Sequence, residues 1–165
     1  MAKQLLLVRH GKSDWGNIDL KDFDRPLNKR GKENAPEMAE RLIKRGFHFN
    51  LMMSSPAKRA KSTAKFFAEA YQIDNIKYEA SIYEANTNTL LKLINGLDNR
   101  ADTVIMFGHN PGFTDFANEL SDAGIYNIPT AGMVLISFPF DSWHMVSRGT
   151  GELVFFDYPK NSDEM

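Results

Sequence analysis

The chain alternates apolar runs of strand length with segments whose apolar residues recur at helical spacing, and this rhythm narrows its possible folds more than any other feature. Residues 5–8 (LLLV) read as a buried strand. Ala35, Met38, Ala39, Leu42 and Ile43 then share one helical face, which closes at Gly46 after two basic residues. Pro36 leaves two starts open for this helix: Asn34 caps it with Pro36 in the first turn, or it begins near Asn28 and is kinked at the proline. Residues 49–53 read as the next strand, followed by Ser55 as N-cap, Pro56 at the first helical position, and a helix bearing Ala60, Ala64, Phe67 and Tyr71. Leu90, Leu91, Ile94 and Leu97 mark a third helix. Residues 103–107 mark a strand, and Phe113, Phe116, Ala117 and Leu120 a fourth helix. Residues 134–138, 143–147 and 152–156 read as closing strands. The sum predicts an α/β domain whose mostly parallel central sheet is flanked by helices on both faces.

The 165 residues suit one minimal domain, expected over 1–159, with a polar tail at 160–165 expected to be disordered. Twenty basic residues nearly balance 21 acidic ones, and the basic runs at 29–32 and 58–61 are short and interrupted, so no nucleic-acid partner is expected. With no cysteine there is no disulfide framework, thiol nucleophile or thiolate metal site. No apolar run approaches the ~18 residues of a membrane helix, and the N-terminal run is too short for a signal-peptide core, so no membrane partner and a cytoplasmic location are expected.

Three predicted strands finish on related material: RHG at 9–11, SSPAKRA at 54–60 and GHNPG at 108–112. Ligands of open α/β sheets bind beyond the carboxyl ends of strands, so the three turns converge on one crevice lined by Arg9, His10, Arg59 and His109. Taken singly, each residue has a plain structural role: Arg9 a buried ion-pair partner, His109 a turn-bracing hydrogen bond. Taken together at one sheet edge they point to an anion. Arg59 sits in the first turn of its helix, where free N–H groups already favour negative charge, and arginine's planar fork matches phosphate or carboxylate oxygens. Two histidines could also ligate a metal, but the neighbouring guanidiniums would repel a divalent cation and neither motif brings carboxylates to offset them, so no metal and no cofactor are expected. The better fit is phosphoryl transfer: neutral His10 attacks phosphorus while Arg9, Arg59 and His109 hold its equatorial oxygens. Adjacent cations keep His10 unprotonated, and a carbonyl accepting from its other ring nitrogen would aim the lone pair.

These motifs resemble the histidine phosphatase superfamily, whose signature stands here as Arg9-His10-Gly11. DRPLNKRGKENA (24–35), SSPAKRAKSTA (54–64) and FGHNPG (107–112) resemble its later segments, and the resemblance covers about residues 4–120. It implies that His10 carries the phosphoryl group and that Arg9, Arg59 and His109 form the phosphate pocket. The mutase-like branch typically has glutamate after the glycine, where this chain has Lys12, and larger members insert a cap where only a short stretch separates Tyr71 from Glu84. The chain is most similar to the small phosphohistidine phosphatases, which implies a metal-independent phosphatase acting on a phosphorylated signalling protein.

An ester substrate needs a proton donor, and Glu84 in SIYEAN is the candidate acid, with an exposed loop carboxylate as its plain alternative. Ser13 either donates to bound phosphate or shapes its turn. Asp22 and Asp24 pair with Arg25 or Lys29, and Trp15 lines the pocket rim or pins its loop. His48 and His144 are structural or surface residues, and Phe66, Phe67, Phe113 and Phe116 belong to the core. A phosphomonoesterase for a small metabolite and a non-catalytic phosphate-binding module remain as alternatives.

Overall fold

The computed structural model describes residues 2–164, with side chains through 161. Six strands form one sheet in the order β3 (Lys77–Tyr78), β2 (Leu51–Ser54), β4 (Thr103–Gly108), β1 (Lys3–Arg9), β5 (Met133–Phe138) and β6 (Glu152–Asp157). β1 to β4 run parallel, and β5 and β6 close the edge antiparallel. Because alternate residues of a strand face opposite sides, Leu6 and Val8 meet one layer of helices and Leu5 and Leu7 the other. The first layer is α1 (Lys29–Lys44) with α2 (Lys58–Ala70), packed through Met38, Leu42 and Phe67. The second is α3 (Thr87–Asn95) with α4 (Gly112–Leu120), packed through Leu90, Ile94, Phe113 and Phe116. No helix among the described residues is long and apolar enough to cross a membrane.

Of the two starts considered for α1, the structure has the earlier. The Asn28 side chain accepts from Gly31 N at 2.8 Å, and the helix runs on through Pro36. Ile43, expected on the buried face, is exposed at that helix's end. Ser55 is not the N-cap of α2. Its backbone still pairs with Phe107 O (3.0 Å), so the helix starts two residues later behind Ala57, which has no side-chain cap. The strand expected at 49–53 is Leu51–Ser54, because Phe49 leaves the sheet to stack on Tyr71. The strand expected at 143–147 is instead a single 3-10 turn at Trp143–Met145. There the Asn95 amide donates to the carbonyls of Trp143 and Val146 (both 2.9 Å), and buried Trp143 donates Nε1–H to Ala101 O (2.7 Å), so side chains replace a strand ladder. The terminal segment expected to be disordered enters a 3-10 turn at Pro159–Glu164, and Met165 lies outside the described residues.

Sheet register carries the site. Arg9 lies opposite Gly108, and Ser54 opposite Phe107, so the turns after β1, β2 and β4 leave the sheet at one level. α1 then packs close beneath the first turn: a Cβ on Gly31 would lie 2.2 Å from the Lys12 carbonyl oxygen. Glycine at both 11 and 31 lets strand end and helix start touch through backbone, since a Cβ on Gly11 would lie 3.1 Å from Gly31 O.

Candidate active site

The three turns open into a cleft of about 1060 Å³ whose floor holds Arg9, His10, Arg59 and His109, each of them buried. The His10 and His109 rings stand 5.2 Å apart between centroids. His10 Nδ1 lies 2.7 Å from the carbonyl of Gly11, which can only accept, so Nδ1 carries the proton. Burial chiefly, then His109, Arg59 and Arg9, hold this imidazole at a pKa of about 3, against the Gly11 carbonyl, which raises it. His10 is therefore neutral at physiological pH, with its lone pair on Nε2. Arg59 donates Nε–H to that atom at 3.3 Å. Thr63 fixes the turn below by accepting from Gly11 N (3.0 Å) while donating to Arg59 O (2.8 Å), which links nucleophile turn and arginine helix.

His109 follows β4 and is joined through Nε2 to Ser55 Oγ at 2.8 Å. Burial and the Arg59 charge likewise bring it to about 3, with Asp22 pulling the other way. Arg9 donates from one Nη to Ile128 O at 2.8 Å. Its Nε and His109 Nδ1 are the two buried side-chain atoms without a hydrogen-bond partner among the described residues. Burial and the nearby Arg59 lower the pKa of Arg9 from the usual arginine value. Two neutral imidazoles and two guanidiniums around one small volume can ligate a tetrahedral anion. One of the imidazoles has a free in-plane lone pair for bond formation. Among the described residues no group of three His, Cys, Asp or Glu side chains could hold a metal ion.

The remaining sequence candidates fall outside that floor. Glu84 lies on the cleft wall with φ +57°, exposed and without a hydrogen bond or ion pair among the described residues. Ser13 is buried at the cleft edge, where its Oγ accepts from Arg25 Nε at 3.3 Å, and its backbone bridges to Leu27. Asp22 does pair with Arg25, at 2.8 Å, and Trp15 stacks on that guanidinium at 3.6 Å from the ring centroid while also lining the cleft. His48 and His144 are both exposed.

Sequence reasoning missed the second grip of Asp22, which binds Arg59 as well, and the roles of Tyr83 and Ser55. Tyr83 packs its ring edge-on to His109 at 5.5 Å and donates its hydroxyl to Asp22 at 2.7 Å. Its only sequence signal was its place beside Glu84. Ser55 was noticed for the wrong task.

Residues 5–106 match the model of the histidine phosphatase superfamily, branch 1. An uncharacterized chloroplastic protein of Arabidopsis thaliana is 30% identical over 153 residues, covering 87% of this chain and 70% of its own length. Phosphoserine phosphatase 1 of Hydrogenobacter thermophilus is 36% identical over 81 residues, 48% of this chain but only 37% of that enzyme. Among solved structures, SixA of Agrobacterium tumefaciens, which carries a phosphohistidine phosphatase assignment, superposes with a TM-score of 0.81. It is 27% identical, with 96% of this chain and 99% of that one covered.

Proposed function

The chain belongs to the histidine phosphatase superfamily, and from that premise we propose that it hydrolyses phosphohistidine on a signalling protein through a phosphorylated His10, without a metal. The observation that carries the chemistry is the His10 hydrogen bond to Gly11 O, which leaves Nε2 as an unprotonated nucleophile facing Arg59. Nε2 attacks phosphorus, and the bond from phosphorus to the substrate imidazole nitrogen breaks. The departing imidazole keeps the electron pair and takes a proton. Water then attacks phosphorus on His10, the P–Nε2 bond breaks, and inorganic phosphate leaves. Arg9, Arg59 and His109 stabilise the equatorial oxygens in both steps.

Two features favour a protein-borne phosphoramidate over a small ester. Only a two-residue strand and a 3-10 turn separate α2 from Glu84, so the cleft stands open to a bulky substrate. An imidazole leaves readily once protonated, which asks little of an acid as exposed and unpartnered as Glu84. The phosphohistidine phosphatase assignment of the Agrobacterium protein is consistent with this reading. The phosphoserine phosphatase relative supports the competing reading, a small phosphomonoester with Glu84 as proton donor.

The test measures phosphate release, with a chelator present, from a phosphohistidine-bearing protein and from a simple phosphomonoester, by wild type, His10→Ala and Glu84→Gln. Release from phosphohistidine that vanishes in His10→Ala and survives in Glu84→Gln is expected. Preference for the ester, with a further loss of tenfold or more in Glu84→Gln, would replace this reading with the small-molecule one. Binding of phosphohistidine with no release would make the chain a binding module.

A further inference from the structure

We infer that Asp22 is a positioning residue for the phosphoryl-transfer step, holding the Arg59 guanidinium in the one orientation that turns its Nε edge toward the nucleophile. The inference rests on the reading of His10 as that nucleophile. Arg59 presents five N–H groups in a fixed plane, with two usable forks: the end, between the two Nη atoms, and the side, between Nε and one Nη. Asp22 occupies the end. Its backbone carbonyl accepts from one Nη at 2.7 Å, and its carboxylate Oδ2 accepts from the other at 3.0 Å. With the end fork committed, the plane is set, and the side edge meets His10 Nε2 at 3.3 Å. A phosphoryl group arriving at Nε2 therefore meets an arginine edge already facing it, and no rotamer search precedes the reaction.

Asp22 is held as firmly as it holds. Its other oxygen, Oδ1, accepts from Arg25 at 2.8 Å, and Oδ2 also accepts from the Tyr83 hydroxyl at 2.7 Å. Arg25 in turn reaches Ser13 and stacks on Trp15. These anchors come from two separate stretches of chain, the loop at 12–28 and the turn before α3, and they meet at this one carboxylate. The network gives that loop a task beyond covering the sheet edge: it delivers a negative charge to the far side of an arginine whose near side works on phosphate. The same carboxylate adds negative charge beside the anion, so it opposes ground-state phosphate binding while favouring the aligned transition state. Orientation and affinity thus pull in opposite directions at Asp22, and a merely structural residue would not separate them.

The experiment compares Asp22→Asn and Asp22→Ala with wild type in the His10-dependent release assay, alongside calorimetric titration with inorganic phosphate. His10→Ala is the blank in the same plate. Asp22→Asn keeps the backbone carbonyl contact and the side-chain shape, so it folds where Asp22→Ala fails. The expected result is a kcat lowered at least tenfold, with inorganic phosphate bound as tightly as by wild type or up to about threefold more tightly, since one neighbouring negative charge is gone. A kcat unchanged in a folded variant would overturn the inference. So would a parallel loss of kcat and phosphate affinity accompanied by a lower melting temperature, because that is the signature of local unfolding. Absence of His10-dependent release in wild type would instead remove the reading on which the inference stands.

Discussion

Replacing Gly31 with alanine sets two well-measured effects against each other. Gly31 lies inside the first turn of α1, where alanine is the better helix former by about 0.8–1 kcal/mol, so propensity alone predicts a more stable protein. The structure predicts the reverse. The added Cβ would sit 2.2 Å from the Lys12 carbonyl oxygen and 3.0 Å from Lys12 N, both backbone atoms, so no side-chain rotation relieves the clash. α1 cannot retreat, being pinned by buried Ala35, Met38 and Leu42 and by the Arg41 hydrogen bond to Asp157 at 3.2 Å. The turn at 11–14 must yield by about 1 Å, giving up the Asn28 N–H bond to Lys12 O (2.9 Å). Overpacking costs roughly 1–3 kcal/mol and the hydrogen bond roughly 1 kcal/mol, so the net is about 2 kcal/mol of destabilisation after the propensity gain. For a chain of this size that lowers the melting temperature by about 4–8 °C. The moved turn carries the Gly11 carbonyl that orients His10, so a loss of about a hundredfold in phosphate release should accompany it. Thermal melting and the release assay decide the matter, with exposed Lys32→Ala as the control. A Gly31→Ala protein that melts at or above wild type and keeps its rate would refute the argument.

Two further outcomes follow from buried charge. His10 and His109 are held at about 3 when folded, whereas an unfolded imidazole titrates near the ordinary ~6.5. Below that value the unfolded chain binds more protons than the folded one, so stability falls as pH drops from about 6.5 toward 3, by up to about 1.4 kcal/mol per pH unit for each group. Urea midpoints should therefore fall between pH 7 and pH 5 in wild type and fall less in a His10→Ala, His109→Ala protein; equal slopes would contradict the burial argument. Lys3 is 1% exposed, and its ammonium meets Asn99 O at 2.5 Å and Asp102 Oδ1 at 2.7 Å. Lys3→Ala should cost about 2–3 kcal/mol in urea denaturation, below the full penalty for breaking a buried pair because Asp102 still reaches water, and should leave kcat unaltered.

The parts of the fold that were legible in the sequence are those governed by period. Strands β1 and β4 are buried on both faces and read as continuous apolar runs, and the four helices show one apolar stripe each. The two-residue β3 is too short to have a period, and both its residues are exposed. The segment at 143–147 has strand-like composition, but its outcome depends on Asn95, 48 residues earlier, whose amide takes the carbonyls a ladder would have used. Site residues divide the same way. Arg9, His10, Arg59 and His109 stand at ends of periodic elements, so predicting the elements placed them together. Asp22 lies in a loop that follows no period, and its partner Arg59 is 37 residues away, so only the folded chain brings them together.

The same division explains where the molecule tolerates unfavourable groups. The two buried side-chain atoms without partners among the described residues, Arg9 Nε and His109 Nδ1, both lie at the cleft floor, as do the two imidazoles whose protonation burial suppresses. Each unsatisfied buried donor or acceptor costs about 1–3 kcal/mol, a sum comparable with the whole margin of stability of a domain. An apolar sheet buried between two helical layers supplies the excess that offsets it. Such an excess would be wasted on a module that needed only to hold the sheet together. Its concentration at the ends of β1, β2 and β4 is what an anion with four acceptor oxygens would relieve, and the neutral, aimed nitrogen among those donors is what distinguishes a site that reacts with the anion from one that merely holds it.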